Sequence, residues 1–497
     1  MRITLLHPPH TSIGSRVPRE NLPPYGLLCV GGPLIDAGHA VQLINADLGP
    51  MRPAQIVREV RESRPDVVMI GHSGSTSAHP TVMTLARQIK QTLPDVMIIY
   101  GGVYPTYHWK EVLAECPAID VIVRGEGEAT TPKLIAALGG DLSRINGIAY
   151  RRDGQPHATA PAPMITDLDA YRIGWELIDF KQHSYWGGKR AVIMQFSRGC
   201  PHLCTYCGQR GFWTRWRHRD PVRFAAEIAR LYREHGVEMI NLADENPTTS
   251  PKAWRAFLEA MITEDVPVQI IGSTRADDIV RDADILHLYK AAGCLRFLMG
   301  LEGTDEATLT KVKKGGTRAK DRLAIDLLRA HGIIGLCTFA VGFEEETDRD
   351  YWRILRHLLS YDPDQVMSVY ATPHRWTPFF QTVKNRRIIE TDQRNWDYKH
   401  QVMEVPQVPA WRVFLWVKCI EICLQARPKA LYRTYFHPDP DMRHAMQWYT
   451  RMGRRVVLRE VWHWLKRRQR AGVSVEAFLG STTLPEKALD QSGSMKR

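Results

Sequence analysis

The feature that most restricts the fold of this 497-residue chain is an apolar run of strand length followed by an amphipathic run of helix length, repeated in two blocks. From Met1 to Ala137, the runs Ile3 to Leu6, Ala40 to Ile44, Val67 to Ile70, Val96 to Tyr100 and Val121 to Arg124 read as strands. They alternate with helical stretches at Leu27 to Ala37, Ala54 to Ser63, Pro80 to Thr92 and Trp109 to Cys116. Apolar strands separated by helices build parallel sheets covered on both faces. Residues 1–137 are therefore expected to form a doubly wound α/β domain. A second block, 190–385, repeats the pattern at Ala191 to Phe196, Val237 to Leu242, Val268 to Ser273, Leu295 to Gly300, Ile334 to Val341 and Gln365 to Tyr370. Six such units predict a partial (β/α)6 barrel. Residues 138–189 read as a Pro-rich linker carrying a polar hairpin around Arg152-Asp-Gly154. Residues 386–470 read as a helical, basic and aromatic region, and the polar stretch 471–497 as a loose tail.

Three cysteines spaced Cys200-x-x-x-Cys204-x-x-Cys207 follow the first strand of the second block. Soft thiolates select zinc, copper(I) or iron–sulfur clusters, and a closed zinc site wants a fourth Cys or His close by. His202 sits two residues from both Cys200 and Cys204, an awkward spacing for joint tetrahedral chelation. A zinc knuckle or a chance grouping among nine cysteines is the plain alternative. Three thiolates on a four-iron cluster instead leave one iron open. Gly199 and Pro201 keep the segment out of a helix, so its amides can face sulfide. A loop at the carboxyl end of a barrel strand lies on the catalytic face.

The spacing resembles the signature of the radical S-adenosylmethionine (SAM) enzymes, with Tyr206 at their aromatic position before the third cysteine. The resemblance implies a [4Fe-4S] cluster on Cys200, Cys204 and Cys207, with SAM at the open iron. Strand-end residues of the second block then take roles. Asp244 and Glu245 could receive the SAM ammonium through charge-assisted hydrogen bonds. Ser273 and Arg275 could reach carboxylate or ribose oxygens, Glu302 a ribose diol, and Val341 and Gly342 could offer backbone to the adenine. Taken singly, each is more often a solvated or capping residue. Their recurrence at consecutive strand ends favours a site. Tyr370 and His374, at and after the sixth strand, are the substrate or catalytic candidates, with His374 either an ordinary loop residue, a proton carrier or an axial ligand.

The turns after the strands of the first block are small and polar: His10-Thr11-Ser12-Ile13-Gly14, Ser73 to Thr76 with Ser75, Gly101-Gly102, and Gly125-Glu126-Gly127-Glu128. Ligands of open parallel sheets bind at such strand ends. No Gly-x-Gly-x-x-Gly opens a helix here, which disfavours a dinucleotide. The pattern resembles the Rossmann-like cobalamin-binding domain that precedes the barrel in one large class of radical SAM enzymes. That implies cobalamin held by these turns, without a lower-ligand histidine, since no Asp-x-His-x-x-Gly is present. A degenerate domain that has lost its ligand is the alternative.

The net charge of +12 is concentrated near the C-terminus, where Trp411 to Arg470 holds 14 Lys and Arg against 4 Asp and Glu. Such a face is usually solvated, though it suits anionic partners, and the interleaved aromatic residues fit packing on the barrel or on a large planar ligand. No RNA-binding fold is apparent, and nucleic acid is not an expected partner. No uncharged apolar run approaches the roughly twenty residues of a membrane span. Without a signal peptide, the protein is expected in the cytoplasm, with peripheral membrane contact left open. Cys419 and Cys423 are expected to be packing residues.

Resemblance extends over nearly the whole chain, to about Leu465. The run Ser197 to Trp213, Arg219-Asp-Pro221, Glu234-His-Gly-Val237 and Leu242 to Thr248 resemble the anaerobic magnesium-protoporphyrin IX monomethyl ester oxidative cyclases of phototrophic bacteria. So do His7 to Gly14, Asn21 to Gly26, Tyr185 to Lys189 and His437-Pro-Asp-Pro440. The resemblance implies cobalamin, a four-iron cluster and SAM acting together to close the isocyclic ring of bacteriochlorophyll without dioxygen. It further implies a tetrapyrrole substrate, a carbonyl oxygen from water, and a low-potential donor of the flavodoxin or ferredoxin type. A cobalamin-dependent radical SAM methyltransferase would share every cofactor feature, and a cobalamin-binding sensor module is the reading from another class.

Overall fold

The computed structural model describes residues 1–10, 20–73, 76–209, 211–301, 310, 313–466 and 472–480. In the first sheet, β1 (Arg2–His7), β2 (Ala40–Asn45), β3 (Val67–Ile70), β4 (Met97–Gly101) and β5 (Val121–Val123) run parallel in the order 2-1-3-4-5. Ile3, Leu5, Val67, Met69 and Ile99 face one hydrophobic cluster, while Leu6, Val68, Ile70, Ile98 and Tyr100 face another. Alternation along each strand thus feeds two cores, which is why these strands are apolar throughout. The strand order reverses between β1 and β3, and a crevice opens at such a switch point.

The segment 138–189, read as a linker, carries the hairpin expected around Arg152-Asp-Gly154. β6 (Ile148–Arg152) and β7 (Gln155–Ala158) extend the first sheet beyond β5 as an antiparallel hairpin. Its two-residue turn places Asp153 at φ 52° and Gly154 at φ 75°, the left-handed pair that such hairpins need. Its pairing with β5 was not expected, because an edge ribbon buries only a few residues, here Ile148 and Ala149.

In the second sheet, β8 (Ser184–Tyr185) pairs antiparallel with β9 (Lys189–Met194). A short hairpin of β10 (Ser197–Arg198) and β11 (Arg217–His218) follows. The sheet continues through β12 (Met239–Leu242), β13 (Gln269–Thr274), β14 (Cys294–Gly300), β15 (Ile334–Val341) and β16 (Gln365–Tyr370), each parallel to the last. The six parallel strands β9 and β12 to β16 are the expected partial barrel, and β8 makes a seventh, so that β8 and β16 lie at the edges of the sheet.

The helix Pro440–Lys466 spans the gap between those edges. Its Trp448 packs on Trp186 beside β8, with ring centroids 4.3 Å apart, and its Tyr449 hydroxyl donates to Val366 O on β16 at 2.5 Å. Met442, Ala445 and Met446 fill the barrel base against Ala191, Met239, Leu295 and Ile334. Packing on the barrel accounts for Trp448 and Tyr449, whereas Trp411, Tyr432, Phe436 and Trp462 stay exposed.

Two smaller expectations are corrected. Cys419 and Cys423 are exposed, their sulfurs 3.8 Å apart, because their helix buries Val413, Val417, Ile420 and Leu424 instead. Residues 472–480, assigned to the loose tail, are docked: Ile388 N donates to Val473 O, Val475 N donates to Arg386 O, and Val475 is buried beside Phe380 and Trp396. Residues 481–497 lie outside the described residues. Among the described residues no helix is long and apolar enough to cross a membrane.

Candidate functional site

The cysteines occupy a long loop between β10 and β11. Gly199 makes the loop possible, since at φ 93° its missing Cβ would stand 2.4 Å from Arg215 O in the returning arm. Two acids after β12 hold the entrance. Asp244 accepts hydrogen bonds from the amides of Phe196 and Ser197 and from the Ser197 hydroxyl, and Glu245 accepts from the Gly199 amide at 3.1 Å. Burial pushes the Asp244 carboxyl up to about 7. Burial, followed by the charge of Asp244, pushes Glu245 up to about 8.

The donor set fits a multi-iron cluster better than a single ion. Among the described residues, only His7, His10 and Asp47 bring three ligating atoms within 4.8 Å of one another. The three cysteine sulfurs do not all lie within that distance of one another. Bonds of about 2.3 Å to one tetrahedral zinc would draw them to about 3.8 Å. Without a metal, burial raises the Cys200 thiol to about 11, so a bound metal must supply the charge that keeps it a thiolate.

The loop is tied to the first domain by buried charge. Arg198 Nη1 donates to Glu126 Oε1 at 3.0 Å and Nη2 to Glu128 Oε1 at 2.5 Å, while Arg217 takes Glu126 Oε2 at 2.9 Å. Burial works to raise the Glu126 carboxyl, but the Arg217 hydrogen bond and the Arg198 charge outweigh it and hold it below its ordinary value. The segment after β16 makes a second tie. Trp376 stacks on Tyr107 with centroids 5.3 Å apart and donates from Nε1 to Gly208 O, and Arg375 pairs with Glu111.

A cavity of about 1830 Å³ runs from the β1/β3 crevice past the cysteine loop into the barrel. A cleft for one small ligand is about 300–1,000 Å³, so this space suits more than one. A second cleft of about 1070 Å³, near Phe180 and His235, holds none of the sequence-predicted residues.

Comparison with known proteins agrees with this arrangement. Residues 13–135 match the B12 binding domain and residues 194–358 the Radical SAM superfamily. The chain is 57% identical, over 97% of its length and 97% of the relative's, to an anaerobic magnesium-protoporphyrin IX monomethyl ester cyclase of Synechocystis. It belongs to that cyclase family. A cyclase of the same name from Rubrivivax gelatinosus is 32% identical over 78% of this chain and 70% of the relative. The solved radical SAM methyltransferase TsrM of Kitasatospora setae matches at a TM-score of 0.70 and 15% identity, covering 94% of this chain and all of that one. The cobalamin-dependent radical enzyme OxsB matches at 0.70 and 17%, covering 94% of this chain and 73% of that one. Both share the fold.

In this cyclase family member, the cavity is lined by twelve of the sequence-predicted residues: Ser73, Gly101, Gly102, Gly125, Glu126, Glu128, Tyr206, Cys207, Asp244, Glu245, Ser273 and Tyr370. A Cβ on Gly125, at φ 84°, would meet nothing within 4 Å, so the backbone there borders open space. Glu126 and Glu128, expected to hold cobalamin, spend their carboxylates on Arg198 and Arg217. Thr76 turns its hydroxyl to His374. Asp244, expected at the SAM ammonium, serves the backbone of the cysteine loop.

Several predicted residues lie away from the cavity lining. Arg275 donates to Lys314 O and pairs with Asp277. Both polar backbone groups of Gly342 are engaged, N–H by Glu346 and O by Arg386, and Val341 O accepts from Ala371, so neither is open to adenine. His374 is buried, its Nδ1 3.0 Å from the Thr76 hydroxyl and its Nε2 2.5 Å from the Tyr398 hydroxyl, and it bridges domains without lining the cavity. Thr11, Ser12, Ile13, Gly14, Ser75 and Glu302 lie outside the described residues.

The sequence reading missed three features of the cyclase cavity. His7, His10 and Asp47 gather at the ends of β1 and β2, where the period-two pattern gives no hint that they meet. His400 lines the far lobe, its Nδ1 2.9 Å from Asp397 Oδ1, beside His463 of the closing helix. Arg296 sits inside the barrel on β14. A charge within the otherwise apolar run Cys294 to Met299 was its signal.

Proposed function

We propose that the chain catalyses the oxygen-independent oxidative cyclisation of magnesium-protoporphyrin IX 13-monomethyl ester to divinyl protochlorophyllide, with the ring ketone oxygen taken from water. The observation that carries this is the 57% identity to a cyclase across 97% of both chains. Cys200, Cys204 and Cys207 would hold the cluster, Glu245 and Ser273 would face SAM, and Ser73, Gly101, Gly102 and Gly125 would face cobalamin. When bound, these groups supply a SAM-derived carbon radical able to take hydrogen from an unactivated C–H bond, together with cobalt redox chemistry.

The chain's own residues position and insulate. Asp244 and Glu245 fix the entrance of the cysteine loop against the barrel, which would keep Cys200, Cys204 and Cys207 in place to hold the cluster. A neutral Glu245 facing the cavity regains its charge when an ammonium arrives, which favours SAM over neutral ligands. Arg198 and Trp376 clamp the two domains around the common cavity, and the helix Pro440–Lys466 closes the side of the barrel against bulk water. Electrons come from a flavodoxin- or ferredoxin-type donor, and the protein works in the cytoplasm, with exposed Leu458, Trp462 and Leu465 beside arginines suited to peripheral membrane contact.

The test is anaerobic incubation of the reconstituted protein with SAM, a low-potential reductant and the magnesium porphyrin ester in heavy-oxygen water. A product with the mass of the ring-closed ketone carrying the label is expected. A methylated product, or no deoxyadenosine, would overturn the assignment.

A further inference from the structure

We propose that Arg296 is the receptor for the free propionate carboxylate of the porphyrin monoester, an assignment that rests on the cyclase reading and adds its specificity determinant. Arg296 stands on β14 in register with Ile271 of β13 and Ile334 of β15, and it lines the cavity together with Leu298, two residues along the same strand. The residue is 8% exposed. Among the described residues no carboxylate pairs with its guanidinium, and Nε has no hydrogen-bond partner. Its Cζ lies 4.4 Å from the ring centroid of Trp186, a contact that offers no charge. Nearby Tyr185 and Tyr449 are kept neutral by burial.

An isolated buried cation is among the most unfavourable states a side chain can occupy, and a guanidinium does not escape by losing its proton. Burial pulls its pKa down, and among the described residues no carboxylate compensates. Chains keep such a charge where its partner arrives with a ligand. A guanidinium matches a carboxylate in bidentate fashion. The substrate named for the family is a monoester of a dicarboxylic porphyrin: one propionate arm is esterified and the other is free. The walls around Arg296, with Trp186, Trp448 and Leu336, suit the edge of a macrocycle.

SAM carries the other available carboxylate. Ile271, the register partner of Arg296, lies two residues before Ser273, so Arg296 sits about 6.6 Å deeper than the strand-end residue facing SAM. That depth favours the porphyrin arm.

The experiment measures dissociation constants of the full-length, anaerobically reconstituted protein for magnesium-protoporphyrin IX monomethyl ester, for the dimethyl ester and for SAM. Wild type is expected to prefer the monoester by roughly 10- to 100-fold, the range of a charge-assisted hydrogen bond. Arg296→Met should erase that preference, leave SAM affinity within about twofold, and leave the ligand-free protein at least as thermostable as wild type, because an unpaired charge has gone. Arg296→Lys should retain part of the preference. Equal wild-type affinity for the two esters overturns the assignment without any variant. Loss of SAM binding in Arg296→Met with the ester preference intact would give the guanidinium to SAM instead. Failure of wild type to bind either ester would remove the cyclase reading itself, whereas turnover of both esters alike would leave that reading standing and remove only Arg296.

Discussion

Arg198 donates to Glu128 Oε1 at 2.5 Å, joining the residue two before Cys200 to the turn after the last parallel strand of the first domain. Both side chains are about nine-tenths buried. The pair makes the position of the metal loop depend on the docking of the cobalamin domain.

Arg198→Met leaves Glu128 buried without its partner, while Glu126 keeps Arg217. Breaking a buried pair on one side costs about 3–5 kcal/mol, and neutralising both sides recovers much of it. The denaturant midpoint of the metal-free protein is expected to drop for Arg198→Met and to recover in Arg198→Met/Glu128→Gln. Equal midpoints for wild type and the single variant would show the pair to be idle.

Replacing Cys200, Cys204 or Cys207 by Ala should abolish iron loading and turnover while leaving cobalamin uptake intact, because the strand-end turns of the first domain fold independently of the sulfurs. Iron content and cobalamin absorbance on the same sample check this; full iron incorporation in any of the three would refute the ligand set.

Asp244 and Glu245 are adjacent but should respond differently. Asp244→Asn weakens the acceptor for Phe196 and Ser197 and should cost about 1–3 kcal/mol of stability. Glu245→Gln should leave stability and iron content near wild type and weaken SAM about tenfold, as expected for loss of one charge-assisted contact. Equilibrium binding of SAM to the reduced, iron-loaded variants separates the two roles.

Three buried histidines should make part of the metal-free protein's stability sensitive to acid. Burial, and secondarily the charge of His108, depresses His374 to about 3; burial and then His108 depress His79 to about 3; burial and then Arg375 depress His108 to about 4. Unfolded histidines titrate near 6.5, so between that pH and about 3 the unfolded chain binds more protons than the native one. The contribution of these histidines is therefore full above about pH 6.5 and is lost as pH falls, by about 1.4 kcal/mol per unit for each, while the raised carboxyls of Asp244 and Glu245 work in the opposite direction over part of the same window. His374→Gln should flatten the slope of stability against pH by about one proton in this window. An unchanged slope would mean that His374 is not held neutral.

The sequence by itself determined the parallel strands of both sheets, the barrel class and the metal loop, because strand periodicity and ligand spacing are properties of neighbouring residues. β15 and β16 match their expected limits residue for residue, and the other barrel strands shift by one or two. Tertiary structure alone decided which polar residues meet. Glu126 and Glu128 looked like ligand residues from their turn, yet Arg198 claims them from 70 or more positions away; His374 looked like a substrate residue, yet Thr76 meets it across 298. The hairpin around Arg152-Asp-Gly154 was legible, but its pairing with β5 was not, nor were the docked Val475 and the closure of the barrel by the helix Pro440–Lys466, for the same reason. A side chain's partner depends on which surfaces the folded layers bring face to face, and local pattern carries no record of that.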